Sequence, residues 1–262
     1  MISSTSNGQI KNIIQLQKKP KSRMEQGAFV IEGIKMFEES LEYGTIIKAY
    51  VMESFYEEMK AKNPEYFQDF PYEVVTNAVF KEISETLTPQ GILSIVKMPA
   101  YSLDSILSKE DANLILLEDI RDPGNLGTIV RTAEGAGFTG IILSKSSVDM
   151  YNPKVIRSTM GAIYRMPFIY AEDFLDTMDQ VKASNIPVYA AHLLGEHYYD
   201  EIQYEKKCAI LIGNEANGLT DTCAQKASQY VKIPMTGKVE SLNAAIAASI
   251  FMYEIYRQKR KS

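Results

Sequence analysis

The sequence has few residues that could hold a metal ion or a disulfide framework. Its 262 residues include only two cysteines and two histidines. Cys208 and Cys223 form no CxxC pair, and His192 and His197 have neither the HExxH spacing nor a cysteine nearby. Zinc sites and disulfide scaffolds need several such residues at short, regular spacing. We therefore expect no metal, and a chain suited to a reducing compartment.

Long apolar runs are also missing. No stretch approaches the roughly 20 apolar residues that a membrane-spanning helix needs. The first residues, MISSTSNGQIKN, lack the apolar run of a signal peptide. These absences predict no membrane partner and a cytoplasmic location.

Basic residues are in the minority, and the formal net charge is -5. Taken alone, this charge argues against binding nucleic acid, because phosphates attract clustered Lys and Arg. However, residues 1–24 contain five basic and no acidic residues. Lys19, Lys21 and Arg23 in this segment are candidate RNA contacts, and residues 257–261 form a second basic cluster. Because terminal charge runs are often only solvated tails, these clusters permit RNA binding without establishing it.

The order of predicted elements indicates two α/β units. In residues 1–100, strands such as AFVIEG alternate with helices such as IKMFEESLEYG, which Gly44 ends. Residues 101–112 mix serine and charge, so we predict a linker there. In residues 113–262, strands alternate with helices in the pattern of a parallel sheet covered on both faces. The last helix, from Leu242 toward Lys259, is apolar almost all round, which favours core burial but also fits a subunit interface.

One glycine motif is misleading. Residues 135–140 read GAGFTG and match the GxGxxG pattern of dinucleotide sites. That pattern follows a strand and opens a helix, whereas here the glycines close a predicted helix and lead into a strand. We predict a helix C-cap instead.

Three polar segments follow strands of the second unit. They are EDIRDPGNLGTIVRTAEGAGF (118–138), ILIGNEANGLTD (210–221) and VKIPMTGKVESLNAAIAAS (231–249). Each also has a purely structural interpretation: a capped helix with an Arg131–Glu134 pair, an Asn-Gly turn, and a helix capped by Ser241 or Asn243. However, ligands of open α/β sheets bind at the carboxyl ends of strands, where such segments converge.

Together and in this order, the segments resemble the three signature motifs of the SpoU/TrmH family of SPOUT methyltransferases. NPKVIRSTMGAIYRMP, FVIEGIKMFEES and LTPQGILSIV are also similar to the family, so the resemblance covers nearly the whole chain. Ala216 and Asn217 depart from the pattern, since many relatives have Gly and a small or acidic residue there.

The resemblance implies a fold and an activity. The expected fold is an N-terminal α/β substrate-binding domain related to ribosomal proteins, plus a C-terminal SPOUT α/β domain with a parallel sheet and a trefoil knot. The expected protein is a homodimer that transfers a methyl group from S-adenosylmethionine to a ribose 2′-hydroxyl of RNA. Ribosomal RNA is favoured over transfer RNA because the N-terminal domain resembles the ribosomal branch.

The resemblance also assigns residues. It places cofactor contacts on the motif positions Leu211, Gly213, Gly218, Ile233, Met235 and Leu242. It places the catalytic set on Asn125, Arg131, Glu215, Ser241 and Asn243. In this set Asn125 would position the ribose, Glu215 would hold Arg131 or Asn125, and Ser241 and Asn243 would line the floor. Arg131 is either the general base or a phosphate anchor, since a guanidinium with a pKa above about 12 rarely gives up its proton.

Two other functions are compatible with the same scaffold. A non-catalytic RNA-binding or ribosome assembly factor would be expected to lack a catalytic residue, and every position of the set is filled here. A SPOUT enzyme that methylates a base nitrogen is disfavoured by the spacing of Asn125 and Arg131.

Overall fold

A computed structural model describes residues 1–260. Its contacts divide the chain into two compact units. The first contains Met1–Ala100 and Asp149–Tyr164, and the second contains Tyr101–Val148 and the chain from Arg165 onward. The chain therefore enters the first unit twice, whereas the sequence placed all of residues 113–262 in one domain. No helix within residues 1–260 is long and apolar enough to cross a membrane.

The first unit is a four-stranded sheet with helices. In chain order its elements are α1 (Gly8–Lys18), α2 (Pro20–Gln26), β1 (Ala28–Glu32), α3 (Ile34–Tyr43), β2 (Ile46–Met52), α4 (Glu53–Lys62), β3 (Tyr72–Val75), α5 (Asn77–Ile83), β4 (Ile92–Lys97) and, from the second entry, α8 (Pro153–Thr159). The strand order is β1-β4-β2-β3, antiparallel except for the β2–β3 pair. The helix α1 presents Ile10, Ile13 and Leu16 to the core, a spacing that puts them on one helical face.

Arg23 belongs to the core of this unit. Its side chain is only 3% exposed and forms an ion pair with Asp149. Its Nη1 donates to the carbonyl oxygens of Leu16 at 2.6 Å and Gln17 at 3.0 Å. These carbonyls lie in the last turn of α1, where the helix offers no partner and a cation is favoured. The prediction that Arg23 contacts RNA is therefore wrong, because its side chain is buried and its N–H groups bind Asp149, Leu16 and Gln17.

The neighbouring lysines differ from Arg23. Lys19 and Lys21 are exposed, and Lys21 lies 3.8 Å from Glu25 one helical turn further on. Their contact with RNA stays a prediction.

The second unit is built on a seven-stranded, all-parallel sheet. Its elements are α6 (Leu103–Leu107), β5 (Asn113–Leu117), α7 (Pro123–Gly135), β6 (Gly140–Ser144), β7 (Phe168–Ala171), α9 (Phe174–Ala183), β8 (Val188–Ala191), β9 (His197–Tyr198), β10 (Cys208–Ile212), α10 (Asp221–Gln225), β11 (Gln229–Lys232) and α11 (Ala244–Lys259). The strand order is β7-β6-β5-β10-β8-β11-β9. The central strands β5, β6 and β10 are buried along their whole length, as expected for a sheet covered on both faces.

The predicted linker is part of this unit. Residues 103–107 form α6, and its Ile106 and Leu107 are buried in the core beside Leu114 and Ile142. A short amphipathic helix with two apolar residues gives too weak a periodic signal to be separated from a linker by sequence alone.

The GAGFTG segment ends α7, as predicted. Gly137 has φ +72°, and the N–H of Phe138 donates to Ala133 at 2.8 Å while that of Gly137 donates to Glu134 at 3.1 Å. This pair of bonds is a Schellman motif, for which glycine is favoured because its backbone adopts positive φ. The segment is a helix cap.

The last helix, α11, is buried on one side only. Ala248, Phe251 and Met252 face the core, whereas Ile246 and Tyr253 are each 51% exposed. Its basic end is also partly structural. Arg257 bonds Glu254 through two donors, and Lys259 donates to the Lys206 carbonyl at 2.6 Å. Lys261, of the same basic cluster, lies outside the described residues.

Candidate active site

A cavity of about 320 Å³ lies at the carboxyl edge of the second unit's sheet. The segments that follow β8, β10 and β11 line it, together with the start of α11. Its apolar lining includes Ile212, Ile233, Leu242 and Phe251, and its charged lining consists of Glu215, Lys232 and Glu240. An apolar cavity with a few polar groups at the edge of a parallel sheet is the usual form of a small-molecule site.

Five of the six predicted cofactor residues line this cavity: Gly213, Gly218, Ile233, Met235 and Leu242. Leu211 does not. Its side chain is fully buried in the core of the sheet, beside Leu116 and Ala190. A strand buried on both faces has no polar alternation, so the sequence could not show which way Leu211 points.

The loop after β10 is closed by its own hydrogen bonds. Asn214 and Gly218 exchange backbone N–H to O bonds of 2.9 Å, and the Asn214 side-chain oxygen accepts from the N–H groups of Ala216 at 2.9 Å and Asn217 at 3.2 Å. Gly218 has φ +70°, and a Cβ on Gly213 would collide with the backbone of Gly218. Both glycines are required by the tight loop that forms one wall of the cavity.

Glu215 joins this loop to the first motif. Its Oε1 accepts from the Asn125 side chain at 3.0 Å and the Asp122 backbone at 3.1 Å, and its Oε2 accepts from the Arg121 backbone at 3.2 Å. Partial burial opposes ionisation of Glu215, but the hydrogen bonds from Asn125, Asp122 and Arg121 outweigh it and hold the pKa of the carboxyl below its usual value. Glu215 therefore stays ionised and fixes the first motif's loop.

Asn125 links Glu215 to the third motif. Its side-chain oxygen accepts from Asn243 Nδ2 at 2.8 Å. Asn243 in turn caps α11, since its Oδ1 accepts from Ala245 N at 2.9 Å and Ile246 N at 3.2 Å. The carboxylate needs a donor and the helix N-terminus needs an acceptor, so both amides can have only one orientation. The result is a fixed chain from Glu215 through Asn125 to Asn243.

The remaining two predicted residues stand apart from this chain. Ser241 lines the cavity and is exposed. Arg131 is exposed on α7, and within residues 1–260 no hydrogen bond joins it to Asn125 or Glu215. The structural alternative for Arg131 is also not realised, because Glu134 accepts from Arg165 Nε at 2.8 Å instead.

Two features of the site were not predicted. His192 and Leu193, which follow β8, line the cavity. Their position directly after a buried strand was the sequence signal that could have placed them at the site. The second feature is the pair of Asp119 and Arg121, opposite charges two residues apart in the loop after β5. Between residues 1 and 260, no group of three or more His, Cys, Asp or Glu could hold a metal ion.

The chain is similar to known proteins along nearly its full length. The SpoU rRNA Methylase family matches residues 112–253, and an MRM3-like substrate binding domain matches residues 7–94. The 23S rRNA (guanosine(2553)-2'-O)-methyltransferase RlmP of Bacillus subtilis is 29% identical over 97% of this chain and 98% of its own. The crystal structure of an AdoMet-bound rRNA methyltransferase from Sinorhizobium meliloti is 32% identical, with a TM-score of 0.84 over 98% of this chain and 97% of that one. The structure of the SpoU methyltransferase AviRb from Streptomyces viridochromogenes with AdoMet is 25% identical, with a TM-score of 0.84 over 98% of this chain and all of that one.

The first match covers more than half of the chain and contains all three motifs of the site. This chain belongs to the SpoU rRNA methylase family.

Proposed function

We propose that this protein transfers a methyl group from S-adenosylmethionine to a ribose 2′-hydroxyl of RNA, with ribosomal RNA as the favoured substrate. The observation that carries the proposal is the cavity at the carboxyl edge of the sheet, next to the fixed chain of Glu215, Asn125 and Asn243. The relatives support both the substrate and the methyl donor, since RlmP is named for 2′-O-methylation of 23S rRNA and AviRb has been crystallised with AdoMet.

The cavity suits the cofactor in size and character. About 320 Å³ falls within the range of ligand sites. Ile233, Leu242 and Phe251 offer apolar surface to the adenine, and Gly213 lets the ligand approach the backbone. The Glu240 carboxylate in the lining suits the positive charge of a methyl sulfonium.

The bound cofactor would supply an electrophilic methyl group, and the protein must orient and deprotonate the ribose hydroxyl. Asn125 can do the orienting. Its Nδ2 spends one N–H on Glu215 and its Oδ1 one lone pair on Asn243, so one donor and one acceptor remain for the ribose. Because Glu215 and Asn243 hold the Asn125 amide in place, its remaining donor and acceptor need no reorganisation when RNA binds.

Arg131 is assigned to the chemical step as base or phosphate anchor. Arg131→Ala should nearly abolish methyl transfer while cofactor affinity and thermal stability stay close to the parent values. Arg131→Lys keeps the charge and lowers the pKa, so retained activity that rises with pH would favour proton removal, and uniform loss would favour the anchor. Full activity of Arg131→Ala in a methylation assay would refute the assignment.

The assembly and the surroundings follow from the same proposal. We assign the protein to the cytoplasm as a homodimer whose second unit carries the trefoil knot of the family. The exposed apolar side chains Ile246, Tyr253 and Tyr256 on α11 support a subunit interface there. The substrate-binding domain is assigned to the N-terminal unit and the methyltransferase domain to the second.

A non-catalytic RNA-binding factor is the other candidate, and transfer RNA is the other substrate. Calorimetry with S-adenosylmethionine distinguishes the enzyme from the non-catalytic factor, since the absence of binding heat at millimolar ligand would contradict the proposed enzyme. Mapping ribose methylation on RNA from cells with and without the protein tests the substrate. A 2′-O-methyl group that disappears from ribosomal RNA in the deletion strain is expected, and loss only from transfer RNA would contradict the substrate.

A further inference from the structure

The loop after β5 contains an arginine whose position is fixed by its own loop. Arg121 Nε donates to Asp119 Oδ1 at 3.0 Å, and Arg121 Nη2 lies 2.9 Å from Asp119 Oδ2. The two carboxylate oxygens thus hold one side of the guanidinium. Nevertheless the arginine side chain is 72% exposed.

The backbone of Asp119 is held by two hydrogen bonds. Its N–H donates to Ser144 Oγ at 2.8 Å, and its carbonyl accepts from Asn214 Nδ2 at 2.7 Å. It adopts φ +55°, a left-handed backbone that is uncommon for a residue other than glycine. Such strain persists only where the surroundings over-determine it, and it concentrates at functional sites. The strained turn aims the Asp119 carboxylate at Arg121.

The remaining donors of Arg121 point away from Asp119. A guanidinium has five N–H groups, and the Asp119 pair uses two. The three left over belong to the two terminal nitrogens, which form the fork that binds phosphate through two parallel hydrogen bonds. Arg121 therefore keeps a phosphate-binding edge while its other edge is held rigid.

The position of this edge connects it to the reacting ribose. The backbone N–H of Arg121 and the side chain of Asn125 donate to the same Glu215 carboxylate. A ribose in RNA carries its own flanking phosphates, so a ribose oriented by Asn125 would bring a phosphate near Arg121. The nearby carboxylates already accept hydrogen bonds within the fold, Glu118 from Thr220 and Asp122 from the backbone N–H of Asn125.

We propose that Arg121, held by Asp119, binds an RNA phosphate next to the ribose that is methylated. This inference rests on the proposed function and names a residue that positions the RNA strand. It makes RNA recognition a property of the catalytic unit as well as of the N-terminal unit. A free nucleoside, which has no phosphate, would gain nothing from Arg121.

The test compares wild type, Arg121→Ala, Arg121→Lys and a control in methylation of a ribosomal RNA fragment. The control is Lys206→Ala. Lys206 is an exposed cation just before β10, at the opposite edge of the sheet, and it pairs with Glu110 and Asp111. Arg121→Ala should raise the KM for RNA about tenfold or more, and the slope of log affinity against log salt should fall by roughly 0.7 to 0.9, the value of one phosphate contact. Cofactor affinity should not change.

Arg121→Lys should keep the salt slope but bind RNA several-fold more weakly, because the charge remains and the fork is lost. Lys206→Ala should match wild type. If wild type methylates the fragment and Arg121→Ala has an unchanged salt slope, the phosphate contact is refuted, and so it is if Arg121→Ala loses cofactor affinity instead. A wild type that methylates no RNA would count against the proposed function and not specifically against Arg121.

Discussion

Replacing Arg23 by Ala should destabilise the first unit without removing an RNA contact. The substitution removes two charged hydrogen bonds to α1 carbonyls and the ion-pair partner of Asp149. Breaking a buried ion pair costs about 3 to 5 kcal/mol. Because the Asp149 side chain is 29% exposed and can regain water, we expect the low end, about 3 kcal/mol.

Hydrogen exchange measured by mass spectrometry suits this test, since it reports α1 and β1 separately from the second unit. A loss of about 3 kcal/mol corresponds to exchange about 100-fold faster in those segments. Lys21→Ala is the matched control on the same helix, with an exposed pair to Glu25 that contributes less than about 1 kcal/mol. The structural role of Arg23 would be refuted if Arg23→Ala exchanged like wild type while the salt dependence of RNA binding fell.

Three further predictions concern the site. Gly213→Ala should weaken S-adenosylmethionine binding at least tenfold in calorimetry, because its Cβ would collide with the Gly218 backbone, whereas Gly237→Ala has open space and should bind normally. The hydrogen bonds to Glu215 depend on its charge, so with its pKa lowered they are present at neutral pH and are lost as pH falls through that pKa. The rate of methyl transfer should fall with them at acidic pH. If the rate of Glu215→Gln fell with pH in the same way, this role of the Glu215 charge would be contradicted. Asn243→Ala should destabilise α11 by about 1 kcal/mol in thermal unfolding, and Asn243→Ser should restore that cap but not the bond to Asn125 or full methyl transfer; a fully active Asn243→Ser would contradict the role of the chain.

Local signals in the sequence sufficed for most elements and failed where distant residues decide. The Schellman end of α7 follows from glycine chemistry alone, and so does the tight loop at Gly218. The burial of Arg23 depends on Asp149, 126 positions away, so nothing in its basic segment distinguishes it from Lys21. The helix α2 was not predicted because a helix of seven residues, which begins at a proline and ends before a glycine, carries little periodic signal.

The same distinction holds for the site. The motifs identified which residue types would converge, and five of six cofactor positions line the cavity. The bond between Asn125 and Asn243 joins positions 118 apart, and the choice of Asn125 over Arg131 as the partner of Glu215 depends on which face of α7 each occupies. The six-residue spacing puts these two side chains on different faces at 3.6 residues per turn.

Because residues 149–164 also belong to the first unit, this unit cannot be completed until they have been synthesised. Residues 1–100 leave the ribosome before Asp149, so α1 and α2 are made while Arg23 still has no carboxylate to pair with. Phe29 likewise cannot pack against Tyr151, whose ring centroid lies 4.7 Å from its own in the folded unit, until Tyr151 has been synthesised. The N-terminal unit, although it begins the chain, therefore finishes folding only after residue 164, when much of the second unit's sheet is still to be made.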